Sequence, residues 1–214
     1  MTPIFLATVL LSGLLAGFIH VVSGPDHLAA IAPYAVDAKA RAWRTGVRWG
    51  VGHSAGVAGV GLLALLLRDA LSIDLVSAWG ERCVGVMLCA IGIWGLRAAF
   101  TDRSVLRDHC HRGQSHGARH RHAAFAVGTI HGLAGSSHLL GVVPALALPT
   151  DADAVAYLLL FGLGTTAAMA AFSTSIGWLA HRPSTRNVKV QNLLMASAST
   201  IAIAVGGFWL CQGI

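Results

Sequence analysis

Histidines inside apolar segments are the residues of this chain that could do chemistry. One segment holds His20 and the pair Asp26-His27, and a second, 111 residues further on, holds His131 and His138. Neutral imidazole binds nickel, cobalt, copper and zinc, and a neighbouring carboxylate supplies negative charge that balances a divalent cation. Because an unpaired carboxylate is costly in an apolar environment, Asp26 is expected to have a cation or a histidinium as its partner.

The two segments are copies of one another. Gly17, Gly24 and Pro33 in the first match Gly128, Gly135 and Pro144 in the second at the same offset as His20 and His131. Further along, residues 49–54 (WGVGHS) are echoed by residues 161–166 (FGLGTT) at an offset of 112. The duplication therefore extends over at least two consecutive elements, and the chain consists of two related halves.

Composition identifies the class of protein. Hydrophobic residues make up 55% of the 214 residues and charged residues only 11%, whereas a soluble domain has about 25% charged residues. Each membrane span needs about 20 apolar residues. The sequence predicts an all-α integral membrane protein with six transmembrane helices, in the apolar runs 4–33, 47–67, 76–100, 123–148, 155–179 and 190–210.

Basic residues indicate the orientation, since cytoplasmic loops collect Lys and Arg. Thirteen of the fifteen basic residues follow the first, third and fifth predicted spans: Lys39, Arg41, Arg44, Arg48, Arg97, Arg103, Arg107, Arg112, Arg119, Arg121, Arg182, Arg186 and Lys189. We therefore expect both termini outside the cytoplasm and a location in the bacterial inner (plasma) membrane. The net charge of +6 follows these loops rather than a basic face, so no nucleic-acid partner is predicted.

Six spans in two copies give three spans per copy, and an odd number forces the second copy to enter the membrane from the opposite face. The predicted organisation is a three-helix repeat at 1–100, a His/Arg-rich cytoplasmic loop at 101–122 and an inverted three-helix repeat at 123–214. Inverted repeats are typical of secondary transporters, whose binding sites lie near the bilayer midplane where helices are interrupted.

Gly24-Pro25 is such an interruption, because Pro25 has no amide hydrogen to continue the helix. An unbroken helix would hold His20 and His27 about 10.5 Å apart along its axis. A break brings them closer and lets Asp26 turn toward them. The second copy has Gly135-Ser136 at this position, so a milder break is expected there.

Further donors accompany this set. His53 follows the small residues Gly50 and Gly52 and is either a fourth imidazole ligand or an interhelical hydrogen bonder. The second copy has Ser137 in place of Asp26 and Thr165 in place of His53. We therefore expect its two histidines to line the pathway or to support the first set.

The predicted cytoplasmic loop contains His109, His111, His116, His120 and His122, interleaved with Cys110 and arginines. Such a tract is either a low-affinity metal collector or a solvated basic linker between the halves. The four cysteines of the chain form neither a CxxC pair nor a disulfide framework.

The string from His20 through Gly24-Pro25 to Asp26-His27 resembles the signature of the nickel/cobalt transporter superfamily, in which a histidine precedes an Asp-His pair in a transmembrane helix. The resemblance is closest to its compact six-span branch, the urease accessory protein UreH-like proteins, and extends to residues 131–141 and 161–165. Membership implies nickel or cobalt as the transported substrate. Two features depart from the superfamily. Five residues rather than four separate His20 from the Asp26-His27 pair, and residues 161–166 contain no acidic residue.

The sequence therefore predicts a transporter of a divalent transition metal and no enzyme. The metal residues would be His20, Asp26 and His27 as the core, His53 as a fourth ligand, and His131 and His138 as the pseudo-symmetric counterpart. No resident cofactor is expected, since the metal is the substrate. Expected partners are the metal ion, the lipid bilayer and a metallochaperone or nickel-enzyme maturation system.

Two other functions and both transport directions stay open. An exporter of a small organic or anionic solute could use the same inverted-repeat scaffold with glycine-rich breaks instead of imidazoles. An intramembrane metallohydrolase could use His20, Asp26 and His27 to hold zinc and activate water.

Overall fold

The described structure is entirely helical. The computed structural model describes residues 2–66, 73–101, 116–134, 138–182 and 187–212. Its α-helices in these ranges are α1 (Pro3–Ser23), α2 (Pro25–Ala38), α3 (Ala42–Leu66), α4 (Ile73–Phe100), α5 (His116–Ala134), α6 (His138–Leu146), α7 (Asp151–His181) and α8 (Val188–Gln212), with a 3-10 turn at Lys39–Arg41. The all-α class predicted from the sequence is confirmed.

Several of these helices can cross a membrane. Within the described ranges, four are long and apolar enough: Pro3–Ser23, Gly80–Phe100, Asp151–His181 and Val188–Cys211. The segment Ala123–Ala134 of α5 is apolar but shorter. Large apolar side chains on these helices, such as Leu159 and Leu193, are exposed as lipid-facing residues would be. The chain is thus an integral membrane protein, and the count of six spans stays a prediction.

A single residue interrupts the first span. Gly24 separates α1 from α2, and its amide donates to the carbonyl of Val21 (3.3 Å) rather than continuing the α-helical pattern. Pro25 is the first residue of α2, a position where its missing amide hydrogen leaves no hydrogen bond unmade. The corresponding residues of the second copy, 135–137, lie outside the described residues.

Glycines bring helices of the two halves into backbone contact. Gly17 of α1 faces the carbonyl of Phe161 on α7, and Gly128 of α5 faces the carbonyl of Trp49 on α3. These are matching positions of the two copies. Neither glycine has room for a Cβ atom, so each pair of helices packs as closely as backbones can.

The directions of the helices follow from successive contacts. Along α1 and α7, Gly13 lies beside Tyr157 and Gly17 beside Phe161, so these helices run parallel. The helices α3 and α5 are parallel in the same way. By contrast, α3 and α7 are antiparallel, since Gly46 lies beside Met169 and the Ser54 hydroxyl donates to the Gly162 carbonyl (3.1 Å).

The helices α4 and α8 complete the bundle. They are antiparallel, with Gly85 beside Gly206 and Gly92 beside Ser199. The main apolar core is formed by residues of α1 to α4, α7 and α8, and includes Val21, Ile31, Trp49, Leu88, Met169 and Ala202. The candidate site lies beside this core, on the buried side of the break between α1 and α2, where Val21, Asp26 and His27 are buried while Ser23 and Pro25 are exposed.

Candidate metal centre

Four histidines and one aspartate meet inside the bundle. This histidine cluster consists of His20 on α1, Asp26 and His27 on α2, His53 on α3 and His131 on α5. His53 and His131 are fully buried, and even Asp26 is only 7% exposed. His53 lies near the middle of α3, whereas His20 and Asp26 lie on either side of the break between α1 and α2.

Three of the histidines form a set of imidazoles facing one another. The Nε2 atoms of His20 and His53 are 3.4 Å apart. The ring centroid of His27 lies 4.5 Å from that of His20 and 4.9 Å from that of His53. One nitrogen from each ring can be chosen so that all three are within 4.8 Å of one another. The set draws on three helices, α1, α2 and α3.

The 3.4 Å separation allows either an interhelical hydrogen bond between the two rings or a shared metal ion. Two nitrogens that each lie about 2.1 Å from a tetrahedral metal ion are about 3.4 Å apart. His20 and His53 therefore already have the spacing of two metal ligands.

Asp26 joins His27 to His131. Its Oδ1 lies 3.1 Å from Nδ1 of His27, and its Oδ2 lies 3.1 Å from Nε2 of His131. The carboxylate thus connects α2 of the first half with α5 of the second. It lies in the first turn of α2, where the positive end of the helix dipole stabilises negative charge.

Buried nitrogen atoms of His27 and His131 lack a hydrogen-bond partner among the described residues. Within the described part of the chain, Nε2 of His27 and Nδ1 of His131 are buried and make no hydrogen bond. A buried polar atom without a partner costs about 1–3 kcal/mol. The nitrogen of His27 that faces away from Asp26 is therefore available to bind a ligand.

Aromatic rings flank the cluster. The ring of Phe161 lies 5.3 Å from that of His20, and the ring of Trp49 lies 6.0 Å from that of His131. Thr165, which takes the position equivalent to His53, is fully buried and donates to the carbonyl of Gly17 (3.3 Å). The sequence repeat contains all three residues, yet repetition alone did not mark them as neighbours of the site.

The structure brings five of the six sequence-predicted metal residues together. His131 was expected to line a pathway or play a supporting role, and it contacts Asp26 directly. His138 is the first residue of α6, and its side chain lies outside the described structure. The side chains of the histidines at 109, 111, 116, 120 and 122 lie outside it too, and α5 begins at His116, within the segment predicted as a loop. Within the described residues, the donors of Asp26, His27 and His131 also lie within 4.8 Å of one another, and no third trio is as close.

Comparisons with known proteins place the chain in a family. Residues 8–209 match the family described as "Cytochrome C biogenesis protein transmembrane region". The chain is 35% identical to "Chloroplast protein FOR GROWTH AND FERTILITY 2" and 36% identical to "Chloroplast protein FOR GROWTH AND FERTILITY 1", both of Arabidopsis thaliana, over 91% of its length. Those matches cover 54% and 56% of the plant proteins, so the chain spans about half their length.

A bacterial relative is matched along nearly its whole length. The chain is 26% identical to "Urease accessory protein UreH" of Bacillus sp. (strain TB-90), over 96% of this chain and 92% of that protein. No solved structure matches the chain significantly. The match to UreH confirms the UreH-like resemblance inferred from the histidine motif. The chain belongs to the family of the cytochrome C biogenesis protein transmembrane region and is a UreH-like membrane protein.

Proposed function

We propose that this protein transports a divalent transition-metal ion across the membrane, with nickel or cobalt as its substrate. The observation that carries the proposal is the trio His20, His27 and His53, whose nitrogens converge from three helices in the buried middle of the bundle. Neutral imidazoles favour late first-row metals over calcium and magnesium, which prefer oxygen ligands. The relative named as a urease accessory protein supports nickel.

Within this proposal the five residues have different roles. His20, His27 and His53 are the metal ligands, and the unpartnered Nε2 of His27 points to this assignment. Asp26 accepts a hydrogen bond from His27 and orients its ring, as carboxylates beside metal-bound histidines generally do. His131 anchors the second oxygen of Asp26.

Alternating access is the mechanism we propose for transport. The two halves, 1–100 and 123–214, would be inverted three-helix repeats that rock about the histidine cluster, joined by a cytoplasmic segment, 101–122, that includes the start of α5. Matching glycine contacts at Gly17 and Gly128, and the parallel pairs α1 with α7 and α3 with α5, support this arrangement. An ion gradient or a partner protein would supply the energy, and a nickel-enzyme maturation system would receive the metal.

Transport by reconstituted protein tests the proposal. Proteoliposomes are loaded or bathed with radioactive nickel, cobalt or zinc, and metal flux is followed in both directions. We expect flux of nickel or cobalt by the parent protein and loss of flux for His20→Ala and His27→Ala. His181→Ala is the matched control, since this histidine is exposed at the end of α7. Unchanged flux in both cluster variants would contradict the proposal.

The same experiment separates the two alternatives. An exporter of an organic or anionic solute would tolerate loss of the imidazoles. A metallohydrolase would bind zinc at the cluster and convert a lipid or peptide substrate without moving metal across the bilayer. The relative named as an accessory protein favours a role other than an enzyme.

A further inference from the structure

Two buried aromatic rings occupy matching positions in the halves of the chain. Phe161 and Trp49 are 112 positions apart, and the histidines that they flank, His20 and His131, are 111 positions apart. Each ring packs on the histidine of the other half. Phe161 is 2% exposed and Trp49 is fully buried.

The rings lie on opposite sides of the histidine cluster. Phe161 is level with Gly17, which precedes His20 by about one turn, so it lies toward the end of the bundle where α1 begins, the Pro3 end. Trp49 is level with Gly128, which precedes His131 by about one turn, so it lies toward the end where α3 begins, the Ala42 end. These ends are opposite because α3 runs antiparallel to α7, and α7 runs parallel to α1.

A short helix packs against each ring. The ring of Phe161 fills the space beside Gly141 of α6, where an added Cβ would lie 2.8 Å from Cζ. Trp49 shares an apolar cluster with Ala30 of α2, the residue equivalent to Gly141, and its ring lies 6.2 Å from that of Tyr34 on α2. Each ring therefore connects the short helix of its own half to a histidine of the other half.

We propose that Phe161 and Trp49 are the two gates of the histidine cluster, Phe161 at the Pro3 end and Trp49 at the Ala42 end, and that the structure is the state in which both are closed. A closely packed aromatic ring excludes water and hydrated ions, in agreement with the burial of the cluster. The identity of the permeating ion rests on the proposed function. The gates are defined by access of water-soluble molecules and are testable without any metal.

The reporter for this test is a cysteine at position 165. Thr165 is fully buried and lies one turn from Phe161 along α7, hydrogen-bonded to Gly17. Thr165→Cys is placed in a full chain whose native cysteines are replaced by alanine. A charged, membrane-impermeant thiol reagent is then added to one face of right-side-out or inside-out vesicles, and the rate of labelling is measured.

The two gate variants should open opposite faces. We expect slow labelling of Thr165→Cys from either face. Adding Phe161→Ala should raise the rate from one face alone, and adding Trp49→Ala should raise it from the other face alone. Phe208→Ala, at an exposed aromatic residue of α8, is the control and should change neither rate.

Other outcomes overturn the proposal. A variant that merely loosens the fold would label from both faces. Phe161→Leu and Trp49→Phe keep most of the side-chain volume, so the reporter in these two variants should label as slowly as it does alone. Equal labelling from both faces, opening of the same face by both variants, or no change in either would each contradict the assignment of gates. If labelling is face-specific but the protein binds no metal, the assignment of the gates is supported and the proposed function is contradicted.

Discussion

At the scale of single residues, Asp26 is a predicted metal residue that contacts two histidines. The sequence predicted a carboxylate that binds the cation together with two histidines. In the structure both of its oxygens are engaged by imidazoles, one from each half of the chain. Such a carboxylate orients ligands, and its removal should weaken the site without abolishing it.

We therefore expect Asp26→Asn to lower metal affinity by about 10- to 100-fold while the number of bound ions per protein is unchanged. The amide keeps one acceptor oxygen but loses the charge. Equilibrium dialysis or calorimetry of the purified protein with nickel and cobalt measures both quantities. Asp37→Asn is the control, because Asp37 is exposed near the end of α2. Complete loss of binding in Asp26→Asn would mean that Asp26 is itself a ligand.

His53 allows a second test at this scale. The sequence left open whether His53 is a ligand or an interhelical hydrogen bonder, and its 3.4 Å approach to His20 is compatible with both. We expect His53→Ala to abolish metal binding, whereas His131→Ala should only weaken it, because His131 contacts the metal set through Asp26. Binding isotherms of the two variants, measured side by side, decide the point. Equal losses in both variants would argue against this division of roles.

At the scale of elements, glycines determine how closely the histidine-bearing helices approach. Gly17 and Gly128 each face a backbone carbonyl with no room for a Cβ atom. A methyl group there must push two backbones apart, and overpacking of this kind costs about 1–3 kcal/mol.

Gly17→Ala and Gly128→Ala should therefore lower the free energy of unfolding in detergent by about 1–3 kcal/mol and lower metal affinity as the histidines separate. Gly207→Ala is the matched control, since nothing lies within 4 Å of a Cβ at that position. Denaturant titration measures stability, and dialysis measures affinity. Equal stability of all three variants would show that the close contacts do not matter.

The sequence predicted part of this arrangement. Gly24-Pro25 predicted the break because the missing amide hydrogen of proline is a local property, and the break is present. The contacts of His131 with Asp26 and of Phe161 with His20 depend on which helices become neighbours. The repeat identifies equivalent positions in the two halves, but it does not predict which helices of one half contact which helices of the other.

At the scale of the whole molecule, orientation in the membrane is the prediction to test. The arginines of residues 101–122 predict that this segment lies in the cytoplasm. Native Cys110 should then react with a membrane-impermeant thiol reagent in inside-out vesicles and not in right-side-out vesicles, with Cys110→Ser identifying its signal. Labelling of Cys110 from the outer face would contradict the predicted orientation and indicate the opposite one.

The pairing of helices across the two halves also bears on how the protein is made. The helices α1 and α3 find their closest partners in α7 and α5, which are synthesised later. The glycine faces of α1 and α3 therefore stay uncovered in the lipid until α5 and α7 have been synthesised. A chain released halfway through translation would present those faces to quality-control proteases, so assembly of this protein belongs to the last stage of its biosynthesis.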